Sequence, residues 1–227
     1  MNHLVAPSLL AANFGNLQHD IDMINQSAAD WLHLDIMDGV FVPNISFGMP
    51  VVKAIRKLTS KPLDTHLMII DPQRYISRFS ELGVDRLTVH LETCQDPADT
   101  IEQIKDAGMK AGISISPDTP VSSLEAILTE ADLFLIMSVH PGFGAQGFIE
   151  SSYEKIRALR HMLTASGSPA LIEVDGGVSL KNAGNLVEAG VDVLVAGNTV
   201  FSSPDPKETI RLLKAYSSSN DLKSSDA

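Results

Sequence analysis

An eight-stranded (β/α) barrel is the fold this sequence predicts, on three observations. Short β-rich runs alternate with amphipathic segments from end to end, the pattern of βαβ units on a parallel sheet. A phrase recurs where helix gives way to strand: ELGVDRLTV at Glu81, DAGMKAGIS at Asp106 and EAGVDVLVA at Glu188. Nearly every strand then closes on a polar residue or a glycine, after apolar positions. Eight such units in 227 residues fit a barrel. A doubly wound open sheet is the runner-up, disfavoured by the strand count and the even spacing.

In order, the expected strands are Leu4–Pro7, Trp31–Asp35, Pro62–Leu67, Arg86–His90, Lys110–Ile115, Leu133–Val139, Ala170–Val174 and Val193–Ala196. Between them, amphipathic helical segments include Asn16–Ser27, VVKAIRKLT, QRYISRFSEL, ADTIEQIKDA, SSLEAILTE, YEKIRALRHML and LKNAGNLVEA. The glycine of the recurring phrase suits the left-handed residue that ends a helix. No linker or composition shift divides the chain. One barrel domain is expected over residues 1–216, followed by a polar, disordered tail over 217–227.

Bulk properties narrow the function. A net charge of −11 argues against a nucleic-acid surface, because phosphate backbones are bound chiefly by Lys and Arg. It leaves room for one small phosphate, which backbone N–H groups can hold unaided. No apolar run approaches the ~20 residues of a membrane span, and the first residues lack a signal-peptide pattern. The single cysteine, Cys94, excludes an internal disulfide and fits a reducing cytoplasm. The expected partners are small molecules and other copies of the chain, with neither nucleic acid nor membrane.

The stretch ADWLHLDIMDGVFVPN carries the chemistry. On a strand, His33 and Asp35 face one side and Leu32, Leu34 and Ile36 the other. A buried imidazole and carboxylate facing the same way need partners. The strand ends supply them: Ser8, His66, His90, Ser116, Ser138, His140, Asp175, Gly197 and Asn198. His33, Asp35, His66 and Asp175 can converge on the barrel axis, and two imidazoles with two carboxylates suit Zn²⁺, Fe²⁺, Mn²⁺ or Co²⁺. For HLD alone, a buried hydrogen-bonded pair without metal is the better reading; His66 and Asp175 tip the balance. The glycine-rich turns HPGFGAQGF, DGG and AGN contain no Lys or Arg, so an anion there would sit on main-chain N–H groups and a short helix N-terminus. Any one of these glycines serves simply as a turn; the three turns together point to phosphate. Met37, Met68 and Met137 are ordinary core filler by default, or else an apolar lining that keeps water from a reactive intermediate. His3, His19, His161 and Cys94 are expected to be structural or solvated, and His90 has no evident role.

The segments APSLLAANF, WLHLDIMDGVFVPNISFG, KPLDTHLMI, MSVHPGFGAQGFI, LIEVDGGV and VLVAGNTVF resemble the ribulose-phosphate 3-epimerase family, over about Ala6 to Phe201. The resemblance implies a barrel that interconverts D-ribulose 5-phosphate and D-xylulose 5-phosphate, without an organic cofactor. It implies that His33, Asp35, His66 and Asp175 bind one divalent metal, and that Asp35 and Asp175 are the acid/base pair. Ser8, His66 and Asp175 would touch the substrate. Gly142, Phe143, Gly144, Ala145, Gly176, Gly177, Gly197 and Asn198 would bind its phosphate, the three methionines would shield the centre, and a homo-oligomer is expected.

This chain departs from the family pattern at His140, Ala145, Ser116 and Asn198, and the departures at Ser116, His140 and Ala145 keep a 3-epimerase of a hexulose 6-phosphate such as allulose 6-phosphate in view. A barrel decarboxylase or aldolase would be expected to use a lysine near the metal, and no strand end supplies one. A non-catalytic sugar-phosphate binding barrel need not keep both aspartates.

Inversion at C3 explains the demand for two carboxylates. One group must remove a poorly acidic proton beside a carbonyl and another must return one to the opposite face.

Overall fold

The computed structural model describes residues 3–216; the tail expected over 217–227 lies outside them. Eight parallel strands are present: β1 Leu4–Pro7, β2 Leu32–Met37, β3 Leu63–Met68, β4 Arg86–His90, β5 Lys110–Ile115, β6 Leu133–Met137, β7 Leu171–Asp175 and β8 Val193–Ala196. They follow the ring order β1-β8-β7-β6-β5-β4-β3-β2. A bridge between Ser8 and His33 joins the two ends, so the sheet closes as a (β/α)8 barrel. The helices are α1 Leu17–Asn25, α2 Met49–Leu58, α3 Ile76–Glu81, α4 Pro97–Asp106, α5 Ser152–Ser166, α6 Ala183–Ala189, α7 Asn198–Phe201 and α8 Pro206–Lys214.

The glycines of the recurring phrase behave as expected: Gly83, Gly108 and Gly190 all have positive φ. Boundaries differ in places. β2 and β3 run on to Met37 and Met68, and β6 stops at Met137 because Ser138 turns away, its hydroxyl donating to the carbonyls of Asp175 and Gly176. The segment SSLEAILTE folds as a 3-10 helix over Val121–Ile127. Its two leading serines compete for backbone hydrogen bonds and are poor formers of an α-helical first turn.

Strand alternation divides the interior in two. Outward residues such as Leu32, Leu34, Leu63, Leu67 and Ile172 join the layer under the helices. Inward, Ala6, Leu133, Leu135, Val193 and Val195 form a separate apolar cluster in the lumen. The rest of the lumen is polar and buried: His33, Asp35, Asp64, His66, Thr88, His90, Ser114 and Glu173. Arg86 closes the floor, its guanidinium 3.8 Å from the centre of the Trp31 ring.

The opposite end of the barrel carries a fourfold device. Asp30, Asp85, Asp132 and Asp192 each precede an even-numbered strand. Their carboxylates accept the backbone N–H of Val5, Leu63, Ala111 and Ile172, at 2.8, 2.8, 3.0 and 2.7 Å. Their own N–H groups donate back to the carbonyls of the same four residues. Each carboxylate also meets a cation: Lys214, Arg56, Lys110 and Arg160 respectively. This reciprocal clamp ties each even strand to the odd strand before it, and it satisfies donors that the ladder leaves open.

Candidate active site at the mouth of the barrel

Parallel register sets the site. β2 and β3 align His33 with Asp64 and Asp35 with His66, and β6 and β7 align Met137 with Asp175. Both imidazoles approach one carboxylate oxygen: His33 Nε2 is 3.3 Å and His66 Nδ1 3.2 Å from Asp35 Oδ1. The Ser8 hydroxyl donates to Asp35 Oδ2 at 2.5 Å. Asp175 completes the group, and one donor atom from each of His33, Asp35, His66 and Asp175 lies within 4.8 Å of the others. Two nitrogens converging on one buried carboxylate oxygen leave a centre that a cation can occupy. Imidazole nitrogen and carboxylate oxygen are suitable donors for zinc and its first-row neighbours, so these residues fit a divalent ion.

The charges around this centre are separated by environment. Burial pushes Asp35 up, but the adjoining His33 and His66 outweigh it and hold Asp35 far below the usual carboxylate range. Burial and the Asp35 charge act together on Asp175 and raise it to about 7. Burial lowers His66 to about 4, against the pull of Asp35. His33 is also pushed down by burial, yet Asp35 and Asp64 prevail and hold it well above its ordinary value. One carboxyl kept ionised beside another that holds a proton near neutrality is an arrangement suited to acid–base chemistry.

A cavity of ≈ 500 Å³ opens above the cluster. It is lined by Ser8, Asp35, Asp175, the methionines Met37, Met68 and Met137, and by Gly142, Phe143, Gly144, Ala145, Gly176, Gly177, Gly197 and Asn198. Every one of those candidates therefore faces one space. His33 and His66 lie beneath it, at 1% and 0% exposure. For His66 that burial fits the expected place in the ion cluster, while the expected substrate contact is absent from the cavity wall.

Other strand-end residues stand apart. Ser116 does not line the cavity. Its carbonyl accepts from Lys155 and its N–H donates to Glu92. His140 is largely exposed, 3.8 Å from Asp118. His3, expected to be structural or solvated, is buried, with Nε2 2.7 Å from the Leu213 carbonyl.

The glycines divide likewise. A Cβ at Gly176 would meet the Val139 backbone nitrogen at 2.9 Å, and one at Gly177 the Phe148 nitrogen at 2.7 Å, so close packing alone demands glycine there. Ala145, by contrast, holds φ +58° with a side chain, a strain of roughly 1–2 kcal/mol.

Sequence reasoning missed three acids. Asp64 accepts from His33 Nδ1 at 2.6 Å, and Glu173 lies 3.7 Å from the same nitrogen. Glu92 bonds His90. The alternation that joins His33 to Asp35 also joins Asp64 to His66 and Glu173 to Asp175, so the signal was present one step down each strand. Neutralisation suits the deeper pair: burial and the Asp64 charge push Glu173 well above the usual carboxylate range. Asn44 was missed as well; it lines the cavity and donates to the Gly142 carbonyl at 2.8 Å.

The fold and site define an acid–base enzyme of the barrel class, with its chemistry at the carboxyl ends of the strands. The model of the ribulose-phosphate 3-epimerase family matches residues 4–201. Ribulose-phosphate 3-epimerase of Synechocystis sp. is 47% identical over 211 residues, 92% of each chain. The enzyme of that name from Bacillus subtilis is 46% identical, covering 91% of this chain and 95% of its own. The chain belongs to the ribulose-phosphate 3-epimerase family, and so to the isomerases. Among solved structures, 3-hexulose-6-phosphate synthase of Salmonella typhimurium superposes with a TM-score of 0.68 at 20% identity, over 93% of this chain and 96% of that one. Orotidine 5'-phosphate decarboxylase of Pyrococcus horikoshii gives 0.67 at 13%, over 93% and 97%. Those two likenesses concern the fold alone.

Proposed function

We propose that this chain interconverts D-ribulose 5-phosphate and D-xylulose 5-phosphate, in the pentose phosphate pathway, by proton transfer at C3 between Asp35 and Asp175. The observation that carries this is the meeting of two acids from non-adjacent strands in one cluster under a cavity of sugar-phosphate size. Asp35, held ionised, takes the C3 proton; the C–H electron pair forms the C2–C3 double bond and the C2 carbonyl becomes an enediolate oxygen. Asp175, in its protonated form, returns a proton to the opposite face, and the carbonyl re-forms. The reverse reaction exchanges their roles. Ser8 orients Asp35 through its hydrogen bond.

A divalent ion held by His33, Asp35, His66 and Asp175, with zinc our assignment on the donor set, supplies Lewis-acid stabilisation of the developing charge. The phosphate sits among Gly142–Ala145, Gly176, Gly177, Gly197 and Asn198, where no lysine or arginine among the described residues lines the cavity and main-chain N–H groups do the binding. Met37, Met68 and Met137 keep water from the intermediate. No organic cofactor is needed.

A cytoplasmic setting is supported by the free thiol of Cys94. A homo-oligomer is supported by the exposed apolar side chains Phe14, Val40, Ile45 and Ile70.

The test is exchange of the C3 proton in deuterated water. Deuterium should enter both pentulose phosphates, and a chelator should suppress it. Metal-replete protein that exchanges nothing would sink the proposal. One observation favours a second reading, the 3-epimerisation of a hexulose 6-phosphate such as allulose 6-phosphate: Ala145, unlike His140 and Ser116, lines the cavity. Relative turnover of the two ketose phosphates decides between them.

A further inference from the structure

Two turns over the cavity differ in how they are held. The one after β2 is braced to the barrel: the Ser46 hydroxyl donates to the Asp35 carbonyl at 2.6 Å and accepts the Met37 N–H at 3.0 Å. The Asp38 carboxylate accepts the N–H groups of Val40, Phe41 and Ile70. Residues 140–147, after β6, have no such brace. The Gln146 amide donates to the His140 and Phe143 carbonyls, which ties the segment only to itself. Among the described residues, one hydrogen bond reaches it from outside: Asn44 Nδ2 donates to the Gly142 carbonyl at 2.8 Å.

Each partner of the Asn44 amide permits one orientation. The Ile45 N–H can only donate, so it takes Oδ1 at 2.9 Å; the Gly142 carbonyl can only accept, so it takes Nδ2. Gly142 also seats closely on the Asn44 turn. It has φ +128°, and a Cβ on it would lie 3.3 Å from Pro43 Cδ and 3.4 Å from Val42 Cβ. The Gly142 carbonyl and the Phe143 N–H belong to one planar trans peptide and point opposite ways. Holding the carbonyl therefore sets the direction of that N–H.

We propose that Asn44 is a positioning residue, which fastens residues 142–145 in place before a sugar phosphate arrives, so that the ligand need not order their N–H groups itself. Gly142, Gly144 and Gly147 otherwise leave the segment many conformations, and ordering them on binding would be subtracted from affinity. Because Ser46 links the Asn44 turn to the Asp35 carbonyl, the phosphate turn and the strand of the proposed base share one frame. This inference rests on the phosphate reading of the Gly142–Ala145 turn given above.

The test uses Asn44→Ala in the full, Zn²⁺-loaded chain, with inorganic phosphate as the probe. Titration followed at the amides of Phe143, Gly144 and Ala145 should show phosphate bound about 2–10-fold more weakly, the worth of one neutral hydrogen bond. The KM for D-ribulose 5-phosphate should rise by a similar factor, with kcat moving less. Nitrogen-15 relaxation should show lower order parameters over residues 142–145 in the absence of phosphate. Asn44→Ser keeps an oxygen for the Ile45 N–H but has a shorter reach toward Gly142, and it should reproduce all three changes.

Wild-type phosphate affinity or wild-type order parameters in N44A would overturn the inference while leaving the epimerase reading intact. So would a fall in kcat at constant KM, which would mark damage to Asp35 through Ser46. Should N44A fail to fold, N44S decides alone on the same readings. Wild-type protein inert toward D-ribulose 5-phosphate would overturn the epimerase reading, and the phosphate titration would still decide the role of Asn44. Wild-type turn amides that do not respond to phosphate would overturn the inference outright.

Discussion

The two ends of the barrel treat their acids in opposite ways. At the amino-terminal rim, Asp30, Asp85, Asp132 and Asp192 each have a backbone N–H and a basic side chain as partners. Inside and at the mouth, Asp35, Asp64, Glu173 and Asp175 crowd together, with Asp64 and Glu173 facing each other and no lysine or arginine side chain paired with any of the four among the described residues. Partnered acids stabilise a fold, whereas crowded, buried ones cost stability and are kept where chemistry requires them. The lesson is positional: with the same residue types, one end holds the molecule together and the other equips it to react.

Breaking the mouth should cost the most. Asp175→Asn is expected to reduce C3 exchange by about 10²–10⁴-fold, the usual worth of a positioned acid or base, with the circular dichroism spectrum unchanged. Full activity in that variant would remove the two-base mechanism.

The rim should answer in the other currency. Asp192→Ala removes the acceptor of the Ile172 N–H and the partner of Arg160, so urea unfolding should show a loss of about 1.5–3 kcal/mol. Activity per folded molecule should stay as it was. A fall in activity without a fall in stability would erase the division between the two ends.

Acid separates them further. Asp175, raised to about 7, binds more protons folded than unfolded between pH 4 and 7. Its contribution to the metal-free protein is present below about pH 4 and is lost as pH rises through 7. Asp132 is pushed up by burial but pulled below its ordinary value by Lys110 and the Ala111 N–H. Its contribution is present above about pH 4 and is lost on further acidification. Metal-free protein should therefore show a stability slope of mouth origin between pH 4 and 7, and Asp175→Asn should flatten it. Unfolding curves that keep their slope in that variant would refute the assignment.

The smallest effect belongs to Ala145→Gly. Relief of the left-handed strain at φ +58° should gain at most about 1 kcal/mol, since glycine also loosens the unfolded chain. Phosphate affinity should rise or stay level. A weaker KM for the sugar phosphate would mean that the methyl group makes a useful contact.

Much of this was legible beforehand because it depends on periodicity. Alternation placed His33 and Asp35 in the lumen, and glycine after each helix marked where strands begin. The four-residue cluster followed from reading strand ends in register. The deeper acids escaped because attention stopped at those ends: Asp64 and Glu173 sit one lumen layer down. Glu92 escaped for another reason, since it lies on the turn after β4 and its bonds to His90, Ser116 and Thr119 join segments that no local window brings together. The clamp aspartates recur visibly in VDRL, ADLF and VDVL, but their bonding to the preceding strand is a tertiary fact that no local window contains. Helical periodicity likewise could not distinguish the 3-10 segment Val121–Ile127 from an α-helix.

The reciprocal clamps have a consequence for how such a scaffold changes over time. A slip of one residue between neighbouring strands would swap every lumen side chain for a helix-facing one, and four index pins set far from the mouth prevent it. Turns above the cavity can then be lengthened, shortened or rewritten without disturbing the alignment of the whole. The molecule is in effect four two-strand staves hooped at the base, and its open rim is free to be recarved for another sugar.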